Sequence, residues 1–139
     1  MEPTLPNGAA IKVDLFESDA HRVGQIVVCA TAGKLIAHRV VYTCSSGRTR
    51  HLVVTQGDGC LVCDPPLRGD TIQGRVTSVC IDGRWQVPVA TWTRGPWRRA
   101  IAAASIRLTK ACLWVDFRFA RYVTGTLFAL AGQIERMRR

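Results

Sequence analysis

The 139-residue sequence predicts a mostly β fold: a small coiled-sheet or barrel-like domain followed by a basic, amphipathic helical tail. Three observations carry this. Short apolar runs punctuated by Gly, Pro, Asp and Ser fill the first ninety residues, as strands and tight turns do. After Gly95-Pro96 the apolar spacing changes to steps of three and four, the period of a helix. Charge changes at the same place. Residues 1–93 hold nine basic and eight acidic residues, while residues 94–139 hold ten basic and two acidic, so +8 of the net +9 sits in the tail. The division expected is therefore a β domain over 1–93 and a basic helical tail over 94–139.

The strands follow in order. Gln25-Ile-Val-Val-Cys-Ala30 is an apolar run closed by the turn Thr31-Ala-Gly33, and Lys34 to Tyr42 follows at once, which predicts a hairpin. Ser45-Ser-Gly47 makes the next turn and His51 to Thr55 the next strand. Gln56 to Asp70, with its glycines, prolines and aspartates, reads as loop. Thr71 to Ile81 is a long strand, and Asp82-Gly83 is a two-residue hairpin turn into Arg84–Val89. In the tail, Ile101, Ala104, Leu108, Cys112, Val115, Phe119 and Tyr122 line one helical face, Arg107, Lys110, Arg118 and Arg121 another, and Gly125 and Gly132 interrupt. Two readings of that tail stand side by side. Either the helix packs its apolar face on the β body and shows water its basic side, or it lies on an anionic membrane surface.

Composition excludes several classes. At 47% hydrophobic and 21% charged, the chain can bury a core and is not disordered. Met1-Glu2-Pro3-Thr4 lacks the basic and apolar opening of a signal peptide. Inside the tail the longest uncharged stretch, Tyr122 to Ile134, has 13 residues, short of the ~20 a spanning helix needs. Location is therefore expected to be cytoplasmic or membrane-associated. Six cysteines would permit three disulfides, but most sit singly in apolar runs, where buried reduced thiols are expected. Cys60-Leu-Val-Cys63 would need two further ligands to hold zinc, for which Cys44 and His51 are the candidates. As a redox pair it would open a helix beside a parallel sheet, whereas here it sits in a loop before Asp64-Pro-Pro. No metal or other cofactor is expected.

A different set of motifs carries chemistry. In chain order these are Met1-Glu-Pro-Thr-Leu-Pro-Asn-Gly8, Val23-Gly-Gln-Ile-Val-Val28, His38-Arg39-Val40, Thr55-Gln56-Gly57-Asp58 with Asp64 six residues on, and Ile72-Gln-Gly-Arg-Val76. Taken together over residues 1 to about 80, they resemble the signal peptidase superfamily of serine proteases, in its endoplasmic-reticulum and archaeal branch. That branch reads Ser-Met-x-Pro-Thr-Leu, then Gly-Asp-Ile-Val-Val, His-Arg-Val, Thr-Lys-Gly-Asp with a second Asp, and a Gly-Arg-Val strand. The branch that uses lysine as base fits less well, because the relevant strand carries His38.

The resemblance implies a serine endopeptidase cutting after small residues in an exported or leader-bearing protein. A serine hydroxyl needs a base within hydrogen-bond reach. By resemblance, His38 is that base, Asp64 orients it, and Asp58 supports the geometry or stands in as the orienting carboxylate. Met1, Pro3 and Leu5 would contact substrate, whose backbone pairs beside residues 1–8 as an added strand. In the family pattern the nucleophile immediately precedes the Met. Here that Met is residue 1, so the chain as it stands is expected to be inactive, its serine preceding Met1. Gln56 replaces the family lysine. The alternative expectation is a non-catalytic module that binds peptide or membrane on the same scaffold. Expected partners are a peptide or preprotein and, through residues 98–139, an anionic membrane surface. Nucleic acid is disfavoured because the aromatics do not line up on the strands as stacking platforms.

Overall fold

Alternation along one strand sets the architecture. The computed structural model describes residues 4–6, 8–15, 21–31, 33–46, 50–89 and 96–137. Within β2 (Ile26–Thr31), Ile26 and Val28 join one core cluster with Leu5, Val76 and Val79, while Val27 and Cys29 join another with Val40, Val53 and Ile72. Successive side chains on a strand point to opposite faces. An unbroken apolar run is therefore a strand covered on both sides, and β2 is a central one.

The sheet has seven strands, all paired antiparallel: β1 (Ile11–Asp14), β2, β3 (Lys34–Ser46), β4 (Arg50–Gln56), β5 (Leu67–Arg68), β6 (Ile72–Ile81) and β7 (Arg84–Gln86). Their order is β1-β6-β2-β3-β4-β5, with β7 folding back on the end of β6. Among the described residues the sheet is open rather than closed into a barrel, with β1 and β5 at its edges. The Asp82-Gly83 turn is as the sequence predicts. Both residues take positive φ, 50° and 76°, the pair that matches the twist of a two-residue hairpin.

Three differences from the sequence expectation concern elements. The short edge strand β1 has no counterpart in it, since four residues with one partly buried side chain give little pattern. The expected loop 56–70 ends early: β5 pairs with β4, Val53 opposite Leu67, and a 3₁₀ turn covers Gly69–Thr71. The strand after Asp82-Gly83 stops at Gln86, two residues short of Pro88, which has no N–H to continue a ladder. The expected boundary at 93/94 lies outside the described residues.

The tail is two helices, α1 (Pro96–Val115) and α2 (Phe117–Met137), and the break falls at Asp116 rather than at Gly125 or Gly132. Asp116 Oδ1 accepts from the N–H groups of Arg118 (2.6 Å) and Phe119 (3.0 Å), starting α2 as an N-cap. The face that packs is not the large apolar one. Of the seven apolar positions along the expected stripe, only Cys112 is buried, while Trp114 beside it is 84% exposed and Val115 and Tyr122 about three quarters so. What docks instead is small: Ala102, Ser105, Thr109 and Cys112 on α1, with Ala120 and Thr124 on α2. Each buried hydroxyl donates back to its own helix, Ser105 to Ala102 O (2.8 Å), Thr109 to Ser105 O (2.9 Å) and Thr124 to Ala120 O (2.6 Å). This satisfies the hydroxyls in place and lets the helix lie close on the body. No helix among the described residues is long and apolar enough to cross a membrane.

Candidate active site

His38 and Arg39 are neighbours on β3 and therefore point to opposite faces of the sheet. The connection leaving β4 supplies a carboxylate to each. On one face, His38 Nδ1 lies 2.6 Å from Asp64 Oδ2. The same carboxylate oxygen accepts from the Thr55 hydroxyl at 2.7 Å, and the Asp64 N–H donates to Thr55 O at 2.8 Å. Asp64 is thus fixed through backbone and side chain to the end of β4, with both it and His38 mostly but not wholly buried. A carboxylate can only accept here, so the Nδ1 proton lies between the two groups and the neutral ring presents a lone pair at Nε2.

On the opposite face, Arg39 is buried, and its guanidinium is matched on three sides. Nε and Nη2 donate to the two oxygens of Asp58 at 3.0 and 2.9 Å, and Nη1 donates to Gly24 O at 2.7 Å. The Thr4 hydroxyl donates to Asp58 Oδ2. Asp58 is accordingly the partner of Arg39 and not the carboxylate that orients His38. Of the two acids expected at the site, the structure brings only Asp64 to the imidazole. The fork-on-carboxylate geometry explains why: a buried guanidinium has to be matched by a bidentate anion, and Asp58 is the one within its reach.

The expected substrate-contacting residues divide. Met1 and Pro3 lie outside the described residues. Leu5 is buried in the core with Ile26, Val28, Val76 and Val79, where its side chain packs the sheet rather than lining an open surface.

Beside the His38–Asp64 pair opens a cavity of about 180 Å³. The body contributes Ile36, Thr55, Pro65 and Leu67 to its wall, and α2 contributes Arg121 and Phe128. The helical tail is therefore part of the wall around the imidazole, and the two segments distinguished by composition share one site.

The cysteines behave as separate thiols. All six are thiols rather than disulfide-bonded, and Cys29, Cys63 and Cys112 are buried. Cys63 is occupied with α1: its N–H donates to Ser105 Oγ at 3.2 Å and its Sγ lies 3.1 Å from Thr109 Oγ1. Burial pushes the Cys63 thiol up from its ordinary value, against the lowering effect of the Thr109 and Ser105 hydroxyls. His51 packs against the ring of His21 at 5.6 Å, and burial likewise pushes Cys44 up. Among the described residues no group of three or more His, Cys, Asp or Glu side chains is placed to hold a metal ion.

Three site residues had no role assigned from sequence. Arg39, Thr55 and Gly57 are visible in the sequence only as parts of motifs. Strand alternation was the available signal for Arg39, because a histidine and an arginine side by side on a strand require partners on both faces. No protein-family model, curated protein or solved structure matches the chain.

Proposed function

We propose that the chain is a signal-peptidase-like endopeptidase domain that cleaves after small residues in an exported or leader-bearing protein. His38 is its general base and Asp64 the carboxylate that orients it. The single observation carrying this reading is the 2.6 Å contact between His38 Nδ1 and Asp64 Oδ2, which leaves Nε2 as the proton acceptor. In this reading the nucleophile is a serine placed immediately before Met1. Nε2 takes the hydroxyl proton as the oxygen attacks the scissile carbonyl carbon, then returns it to the leaving amine as the C–N bond breaks. Asp64 is not protonated in the cycle; it holds the ring in the tautomer that can accept, and it stabilises the imidazolium. Thr4 supports the assignment, because its bond to Asp58 ties the start of the motif into the loop whose Gly57 abuts His38.

The test is peptide cleavage by a chain carrying serine directly before Met1. His38→Ala abolishes cleavage in this reading, and Asp64→Asn lowers kcat on the order of 10,000-fold by presenting the wrong tautomer. Cleavage that survives His38→Ala at the parental rate overturns it.

A second reading has its own support and is compatible with the first. The outward face of the helices carries Trp114, Val115, Phe119 and Tyr122 among Arg107, Lys110, Arg118 and Arg121, all exposed. Exposed aromatics interleaved with cations fit an anionic lipid surface, where the rings enter the interface and the cations meet headgroups.

A further inference from the structure

On the side of the imidazole away from Asp64, the ring and the Cys60 thiol both face Gly57. A Cβ built on Gly57 would stand 3.1 Å from His38 Nε2 and 2.8 Å from Cys60 Sγ. The ring nitrogen and the sulfur therefore both lie about 3 Å from one point, which glycine at 57 leaves open. The nitrogen concerned is the one that Asp64 does not hold.

Cys60 is placed firmly and remains reachable. Its N–H donates to Gly57 O at 2.9 Å, closing a tight turn, and its carbonyl accepts from Gln56 Nε2 at 3.1 Å. The turn is anchored on one side by the Arg39–Asp58 pair and on the other by Asp64. Cys60 itself is only half-buried. Gln56 is 2% exposed, and its Oε1 has no hydrogen-bond partner among the described residues. The amide thus holds the Cys60 carbonyl through Nε2 while its Oε1 stays inside the protein.

We propose that Cys60 is a nucleophile served by His38 and Asp64, accepting acyl groups from peptide or activated-ester donors. The inference rests on His38 and Asp64 being a base and its orienting carboxylate. The Cys60 S–H proton passes to His38 Nε2, and the sulfur attacks the carbonyl carbon, forming a C–S bond as the π pair moves to oxygen. Collapse expels the leaving group, which takes the Nε2 proton, and leaves a thioester on Cys60. Water then attacks the acyl carbon, giving its proton to Nε2. The C–S bond breaks, the acid departs, and the thiolate recovers the proton. The neighbouring cavity, with Ile36, Leu67 and Phe128 in its wall, suits an apolar side chain on the acyl donor. A thiol served by an imidazole ionises below the ordinary thiol range, which is what makes it reactive at neutral pH.

The experiment uses the full chain in two assays resolved by cysteine. Iodoacetamide labelling is followed across pH by mass spectrometry, and N-acetyl-alanine p-nitrophenyl ester is used to trap an acyl adduct by acid quenching. Cys60 is expected to label at least about tenfold faster than Cys63 at neutral pH, with an inflection below the ~8.5 of a free thiol. His38→Gln is expected to raise that inflection and remove the acyl adduct, and Cys60→Ala to remove both the Cys60 label and the adduct while labelling of the other cysteines is unchanged. Gly57→Ala keeps both reacting groups and slows labelling, because its methyl group displaces the sulfur; circular dichroism checks that each variant folds. An ordinary inflection unmoved by His38→Gln overturns the proposal, as does His38-dependent labelling with no acyl adduct on Cys60. If either result accompanies His38-dependent cleavage by the serine-bearing chain, only the thiol assignment falls. If His38→Gln leaves labelling unchanged and His38→Ala leaves cleavage unchanged, the base assignment itself falls.

Discussion

His38 and Arg39 show how adjacent residues on a strand acquire unrelated duties. One side chain reaches Asp64 and the other Asp58, on opposite faces of the same strand, and the two acids leave the same connection six residues apart. The costs of losing them should differ in kind. Asp58→Ala strands a buried guanidinium, and breaking such a pair by removing one partner costs about 3–5 kcal/mol. Urea unfolding should show that loss, whereas Asp64→Asn, which keeps shape and most hydrogen bonds, should lose far less stability and most of the cleavage. The sequence displayed both acids at the right spacing from His38. It could not say which reached the ring, because that depends on how the turn at Gly57–Cys60 directs each side chain across the sheet. Cys63 makes a second prediction at this scale. Burial raises its folded thiol pKa above the unfolded value, so the fold favours the neutral form. Its stability is complete below the unfolded thiol pKa of ~8.5 and is lost as pH rises toward and through the raised value. Chemical denaturation across alkaline pH should show stability falling, with a shallower slope in Cys63→Ala whatever that variant's absolute stability.

Among the elements, β1 and the packing face of the helices are least legible in the sequence, for different physical reasons. β1 is held less by its own side chains than by what β6 permits. A Cβ at Gly74 would lie 2.6 Å from Asp14 O and 2.9 Å from Val13 Cγ1, so the edge strand can approach only a glycine. That residue looked like part of a motif in the sequence, and its packing role needs a partner strand too short to be seen. Gly74→Ala should therefore detach β1. Amide exchange at residues 11–14 should accelerate toward unprotected rates, while β2, β3 and β4 keep their protection. A protected β1 in that variant would contradict the steric account. The helices were legible as helices but not by face. Hydropathy marks Ser105, Thr109 and Thr124 as polar, yet their hydroxyls are satisfied within their own helices, and their small size is what lets the helices settle on the body. The large residues, lacking room there, are left facing outward.

At the scale of the whole molecule, the excess positive charge and most of the exposed aromatic rings lie in the same tail. The body carries one net positive charge and the tail eight, and the same tail exposes Trp97, Trp114, Tyr122, Leu130 and Met137. A helical pair with one face on the protein and an aromatic, cationic face outward leaves substantial apolar surface in water. Moving it into a lipid interface stabilises it through burial and through about 1 kcal/mol per cation near anionic headgroups. Binding should therefore need both components. In flotation assays the full chain should rise with vesicles made of equal parts anionic and neutral phospholipid, and should remain behind with purely neutral ones. Trp114→Ser should weaken binding with little change in its salt dependence, because it removes apolar contact. Arg118→Gln with Arg121→Gln should weaken it and flatten the salt dependence, because those residues supply the electrostatic part. Equal recovery with neutral and anionic vesicles would remove the role given to the cations. No recovery with either, together with steeply salt-dependent binding to DNA, would transfer the basic tail to a nucleic-acid partner. The cavity beside His38 borrows Arg121 and Phe128 from α2, so a lipid-bound tail would also fix one wall of the site at the membrane surface.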